Sequence, residues 1–266
     1  MPFTFSHPAA ILPAKYFPEK WISFTALVIG SVTPDFEYFI RMRNFGEYGH
    51  TWTGIFWFDL PLAFALTFIY HAFVRDGLID NLPRILRKRL IRFKGLNWPG
   101  YAKGHIWIVL VCLLIGIASH ILWDGFTHRT GYFVGLIPWL NENTYIFWGI
   151  GYSRFYVLQQ ISSFIGLMLV LYALFRLPSD ETAGRKNIIT YWLIAGGLTV
   201  LIATIRVYLG LHRLPLEQFR YIFSIDFYLN YFNHCLAEDF IMTVISAFLI
   251  SLVFTPFIVK GNVSTI

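Results

Sequence analysis

Five long apolar runs, at residues 52–74, 105–124, 155–175, 188–211 and 240–259, constrain this chain more than any other feature in it. Each has roughly the 20 residues that cross about 30 Å of hydrocarbon as an α-helix. A bilayer core offers no water to unpaired backbone groups, so such runs fold as helices rather than as open sheet or loop. The expected fold is therefore all-α: a multi-pass transmembrane bundle of five to six hydrophobic helices, forming one integral membrane domain over residues 1–266. A sixth run, 21–33, is too short to span and reads as a buried N-terminal half-helix. Pro2, Pro8, Pro13 and Pro18 argue against a long helix before it. A hydrophobic share of 56% against 14% charged excludes an ordinary soluble domain. Trp, Tyr and Phe gather near the ends of the runs, where amphipathic rings favour the interface.

The charges suggest an orientation. Arg84, Arg87, Lys88, Arg89, Arg92 and Lys94 alternate with apolar residues, as in an amphipathic helix on anionic lipid or a topology-setting loop. Nucleic acid is not an expected partner beside so many spans; membrane lipids are. Arg176, Arg185 and Lys186 fall on the same side if the spans alternate, and the positive-inside rule makes that side cytoplasmic. His50, Asp124, His128 and Tyr156 can then meet at the outer face. Arg41, Arg43, Arg206, Arg213 and Arg220 weaken the asymmetry. Residues 1–10 carry neither a basic region nor a long apolar core, so insertion is expected to rest on the spans. Cys112 and Cys235 imply neither a disulfide framework nor a zinc knuckle.

Ionisable residues at the ends of apolar runs point to function, because burying them in hydrocarbon is costly. His120, Asp124 and His128 recur every four residues, so on a helix they share a face, unless Gly125 lets the chain leave it first. With His7, with Asp35 and Glu37, and with His50, they make four patches of metal-binding residue types. Imidazole with carboxylate suits zinc, and also manganese or iron, whereas calcium takes more oxygen ligands. Each residue has a plainer reading. His7 can cap a turn before Pro8, Asp35 can cap a helix, His50 can serve as an interfacial hydrogen bonder, and His120 and Asp124 can bond each other. Tyr156, Gln159, Gln160 and Ser163 form a polar stripe that can orient ligands, bind a headgroup or join helices. Asp59, two residues before Pro61, can satisfy backbone groups that the proline frees. No phosphate loop or dinucleotide fingerprint is present, so no nucleotide cofactor is expected.

Three stretches carry a family resemblance: Met1-Pro-Phe-Thr-Phe-Ser-His7-Pro-Ala-Ala, Gly30-Ser-Val-Thr-Pro34-Asp35-Phe-Glu-Tyr38, and Ser119-His120 through Trp123-Asp124-Gly-Phe-Thr-His128. Over roughly residues 1–165 they resemble the bacterial membrane proteins grouped as domain of unknown function 4184. More distantly the layout is similar to predicted inner-membrane metal-dependent hydrolases, and through them to the ligand pattern of zinc-dependent phospholipase C. The resemblance implies a bacterial inner-membrane location and metal-ligand roles for His7, Asp35, His50, His120 and Asp124. Two departures stand out. Glu37 replaces a second Asp, and Gly49-His50-Thr51 replaces a Thr-His-Ser patch.

The function expected from these features is hydrolysis of a lipid-linked or membrane-delivered ester or phosphoester through a metal-activated water, with Asp35 or Glu37 taking the proton. His128 is a further expected ligand. The other class is a non-catalytic membrane protein, or an ion transporter with a structural or transported metal, in which Arg206, Glu238 and Asp239 form a pathway or pair together. No internal repeat of the transporter kind is visible.

Overall fold

The computed structural model describes residues 3–146, 150–181, 188–211 and 237–261. A 3-10 helix at Thr4–Tyr16 and a 3-10 turn at Glu19–Trp21 lead into α1 (Phe24–Val32). A further 3-10 turn, Thr33–Asp35, joins it to α2 (Phe36–Arg41). A π-helical turn at Ile55–Asp59, α3 (Leu60–Ile69), a second π turn at Tyr70–Val74 and α4 (Arg75–Asn81) run on from one another. Then come α5 (Arg84–Leu90), α6 (Trp98–Gly104), α7 (Ile106–Thr127), α8 (Tyr132–Leu136) and α9 (Pro138–Asn141). Three long helices follow: α10 (Arg154–Phe175), α11 (Ile189–Leu211) and α12 (Ala237–Gly261).

Among the described residues, five helical stretches are long and apolar enough to cross a membrane: Ile55–Asp80, Ile106–Leu136, Arg154–Phe175, Ile189–Leu209 and Glu238–Val259. Each overlaps one of the five apolar runs, the first two extending beyond residues 74 and 124, and the multi-pass all-α expectation holds. Two local features differ from it. The proline-rich N-terminus is helical after all, but as a 3-10 helix of 13 residues holding Pro8 and Pro13. Proline's fixed φ fits that geometry, although such runs rarely exceed four residues. Between α9 and α10 lies an antiparallel pair, β1 (Asn143–Ile146) and β2 (Ile150–Ser153), with Asn143 opposite Ser153 and Ile146 opposite Ile150. Four-residue strands leave too little pattern to be read from sequence. Arg185, Lys186, Arg213, Arg220 and Cys235 lie outside the described residues.

The chain divides into two compact units. The first comprises residues 1–35, 47–68 and 97–178. Its core is built on Leu27, Ile55, Trp98, Val109, Leu113 and Ile117, with Cys112 buried as a free thiol. On α7 the buried face runs Val109, Leu113, Gly116, Ile117, His120, Asp124, so one stripe at helical spacing changes from apolar to ligand-bearing. Gly30 of α1 and Gly116 of α7 meet face to face. A Cβ on Gly116 would lie 2.7 Å from Ser31 N and 2.9 Å from Gly30 C. Only glycine lets two helix backbones approach this closely. The N-terminal 3-10 helix packs on α10, where Ser6 abuts Gly166 and donates a hydrogen bond to the Ser163 carbonyl at 2.7 Å.

The second unit comprises residues 36–46, 69–96 and 179–266. Within it α11 and α12 pack through Ala195, Ala203, Ala247 and a Thr199–Ser251 hydroxyl contact of 3.1 Å. Glu238 and Asp239 bind the loop at Arg43 and Asn44 rather than Arg206. They hold that loop at the start of α12.

Candidate metal centre

Four donors from separate segments converge in the first unit. Asp35 ends the 3-10 turn after α1, His50 lies in the loop before the π turn, and His120 and Asp124 stand one turn apart on α7. One donor atom from each lies within 4.8 Å of all the others. His50 Nε2 is 3.5 Å from Asp35 Oδ1, 3.2 Å from Asp124 Oδ2 and 3.3 Å from His120 Nε2. His120 Nε2 is 3.6 Å from Asp35 Oδ1 and 3.3 Å from Asp124 Oδ2. A tetrahedral ion bonded at the roughly 2.0–2.2 Å typical of imidazole and carboxylate ligands spans donor edges of about 3.3–3.6 Å. The five distances fall on or next to that range.

Hydrogen bonding gives a second test of fit. His120 Nδ1 lies 2.7 Å from the Ser31 carbonyl, which only accepts, so Nδ1 carries a proton and Nε2, turned toward His50 and the carboxylates, is the nitrogen that can bind a metal once it is unprotonated. Asp35 Oδ2 accepts a 2.6 Å hydrogen bond from Thr4 Oγ1. Asp35 Oδ1 and both oxygens of Asp124 are buried without a hydrogen-bond partner. Two buried carboxylates facing these imidazoles need positive charge to offset their burial, from protonated rings or from a bound cation. The residues present therefore fit a divalent ion, and the Ser31 and Thr4 contacts fix the orientation of its ligands as outer partners do in metal sites.

His7 and His128 border this group. The buried His7 ring stacks on His120 with centroids 3.7 Å apart, and its Nε2 lies 3.5 Å from Asp124 Oδ1. Burial, with His120 beside it, pushes the His7 imidazole down to about 3, so it is neutral. Gly125 does not release the helix early: α7 runs to Thr127, and His128 is the extended residue that ends it. His128 Nδ1 is 3.4 Å from Asp124 Oδ2, and a quarter of the side chain is exposed, as is a quarter of His50. These two imidazoles line the open side of an otherwise buried site.

The remaining expected residues divide. Gln159 is buried, and Ser163 accepts a 3.2 Å hydrogen bond from the Phe3 amide, whereas Tyr156 and Gln160 face outward. The inward face of α10 is fixed by Ser162, Ser163 and Gly166, which meet the N-terminal helix and Trp123; Tyr156 instead stacks on Tyr152. Glu37 is buried, and Arg41, one turn on, donates to its Oε1 at 2.9 Å. It is not one of the four clustered donors.

Thr4, Ser31 and Trp123 were not among the expected site residues. Thr4 had a signal: three residues before His7 on a three-per-turn helix, it shares the face of His7. Ser31 acts through a backbone carbonyl, which no side-chain pattern announces.

Electrostatics agree with the geometry. Burial works against charge on both Asp35 and His50. The His120 and His50 imidazoles nonetheless hold the Asp35 carboxyl well below the usual carboxylate range, and the Asp124 and Asp35 carboxylates raise His50 to about 9.

No curated protein and no solved structure matches this chain. Its family is nonetheless clear, and the similarity extends past residue 165 through the last apolar spans: the chain belongs to the family described as Domain of unknown function (DUF4184), whose profile matches residues 1–257.

Proposed function

We propose that this chain is a membrane-embedded metal-dependent hydrolase acting on a lipid-linked or membrane-delivered ester or phosphoester, with zinc as the favoured ion and manganese or iron as alternatives. The observation that carries the reading is the buried cage of Asp35, His50, His120 and Asp124, closed on most sides and open beside two imidazoles that are each a quarter exposed. Structural zinc sites are closed by protein ligands, whereas catalytic sites keep one position for water or substrate. A divalent ion bound there would lower the pKa of a water from about 16 toward 7 and polarise the scissile group.

The chain's own residues supply the rest. His120 and Asp35 are held by Ser31 and Thr4, so the donors need little reordering. The proton released by the attacking water needs an acceptor within hydrogen-bond reach. Asp35 is the acceptor we favour, through Oδ2, which accepts from Thr4 Oγ1 and keeps a second lone pair, because its Oδ1 faces the cage; Glu37 is less suited, because Arg41 occupies its Oε1. Buried Gln159 and partly buried Ser163 belong to the surrounding polar shell, and His7 backs His120. Delivery from the membrane is supported by the exposed aromatics near His50 and His128, among them Trp52, Trp57 and Tyr132. Such rings favour the bilayer interface. A bacterial inner-membrane setting belongs to the same reading.

Protein purified in micelles and loaded with zinc or manganese is expected to release product from a chromogenic phosphoester or ester, or from a short-chain phospholipid. Asp124→Ala should abolish that release. Metal-loaded protein that turns over none of these substrates, but moves the ion across a vesicle membrane, would replace the hydrolase with a transporter.

A further inference from the structure

Asp59 is the one carboxylate of the first unit's apolar spans that the site described above leaves unused. It is fully buried at the end of the π turn, two residues before Pro61, inside the stretch Ile55–Asp80 that can cross a membrane. A carboxylate there is costly, and isolated π turns recur at functional sites. The backbone it touches explains its place. A Cβ on Gly49 would lie 3.3 Å from Asp59 Oδ1 and 2.5 Å from the Pro34 carbonyl. Gly49 is therefore wedged between the Asp59 side chain and the residue preceding Asp35, and it immediately precedes His50.

The surrounding turn is tight. Thr51 N and Oγ1 both bond the Tyr48 carbonyl, Gly54 N bonds Thr51 Oγ1, and Ile55 N bonds the Thr51 carbonyl. These contacts fix the turn on its far side, and Gly49 meets Asp59 and Pro34 on the near side. The carbonyl that Pro61 frees is an acceptor, as is an ionised carboxylate, so the proline does not by itself account for Asp59.

We propose that Asp59 is a positioning residue for the metal centre: by fixing Gly49 against Pro34, it sets the His50 imidazole on the donor cage. The proposal rests on the metal reading above. It assigns Asp59 a part in binding without making it a ligand, as outer carboxylates often orient metal-binding histidines.

The test is chelator competition with zinc, together with the visible spectrum of the cobalt-loaded protein, for wild type, Asp59→Asn, His50→Ala and the double variant. Asp59→Asn is expected to weaken zinc binding about 10- to 100-fold and to change the cobalt spectrum. In the His50→Ala background the same change should have no further effect. A folded Asp59→Asn with wild-type affinity and spectrum overturns the proposal, as does an equal loss with and without His50. Should Asp59→Asn not fold, Asp59→Glu, which keeps the charge and lengthens the side chain beside Gly49, should show the same dependence on His50; independence from His50 overturns the role. Wild type that binds no zinc or cobalt refutes the metal reading itself, whereas wild-type binding with an indifferent Asp59→Asn refutes only this assignment.

Discussion

Replacing Gly116 with alanine pushes apart the two helices that orient His120. The new methyl would sit 2.4 Å from Leu27 O, 2.7 Å from Ser31 N and 2.9 Å from Gly30 C, all backbone atoms that cannot rotate away. Restoring the 3.4 Å of ordinary contact to the nearest of them moves α1 from α7 by about 1 Å. The Ser31 carbonyl moves with α1. Its 2.7 Å hydrogen bond from His120 Nδ1 stretches to the limit, near 3.5 Å, at which the bond is lost. Overpacking of this size costs about 1–3 kcal/mol, and an unpaired buried N–H adds a similar amount. A lost outer partner weakens metal binding by about 10- to 100-fold. The assay is thermal unfolding in micelles together with zinc affinity by chelator competition. Gly196→Ala, where a methyl meets nothing within 4 Å, is the control. Gly116→Ala that matches Gly196→Ala in both stability and affinity would refute the link from helix contact to ligand orientation.

Other sites give sharper separations. Thr4→Val removes the hydrogen bond to Asp35 Oδ2 at nearly constant volume and should weaken zinc binding about tenfold, read by the same competition. His128→Ala, at the open side, should keep most of the bound metal while hydrolysis falls, whereas His50→Ala should lose both; equal metal loss would make His128 a ligand. Gln160→Ala should leave metal content and turnover unchanged, because the side chain faces outward. His50, raised to about 9 without metal, stabilises the metal-free protein fully below pH 6.5 and loses that contribution as pH rises through 9. Zinc must displace this proton, so calorimetry in buffers of different ionisation enthalpy should show proton release at pH 7, and affinity should climb with pH across this window.

The spans and the His120–Asp124 pair were legible because both obey one period, the helical repeat that groups Leu113, Gly116, His120 and Asp124 on one buried face. Asp35 and His50 were legible only as residue types. Their meeting depends on tertiary contacts that sequence does not display: the Gly30–Gly116 crossing, and Gly49 lodged between Pro34 and Asp59. The polar stripe on α10 was half legible. Spacing groups Tyr156, Gln159, Gln160 and Ser163 within a wide arc, but the partner helix decides which edge turns inward, and Ser6 at Gly166 decides it for Gln159 and Ser163. Glu37 shows the converse case. Its neighbour Arg41 at i+4 announces a local ion pair, which a motif-based expectation of acid–base chemistry overlooks.

Metal content tests the central claim most directly. Mass spectrometry on micelle-purified wild type should find close to one zinc or other divalent transition ion per chain, and His120→Ala and Asp124→Ala should lose it while remaining folded. Wild type that stays metal-free after reconstitution with excess ion, or variants that keep the ion, would contradict the account.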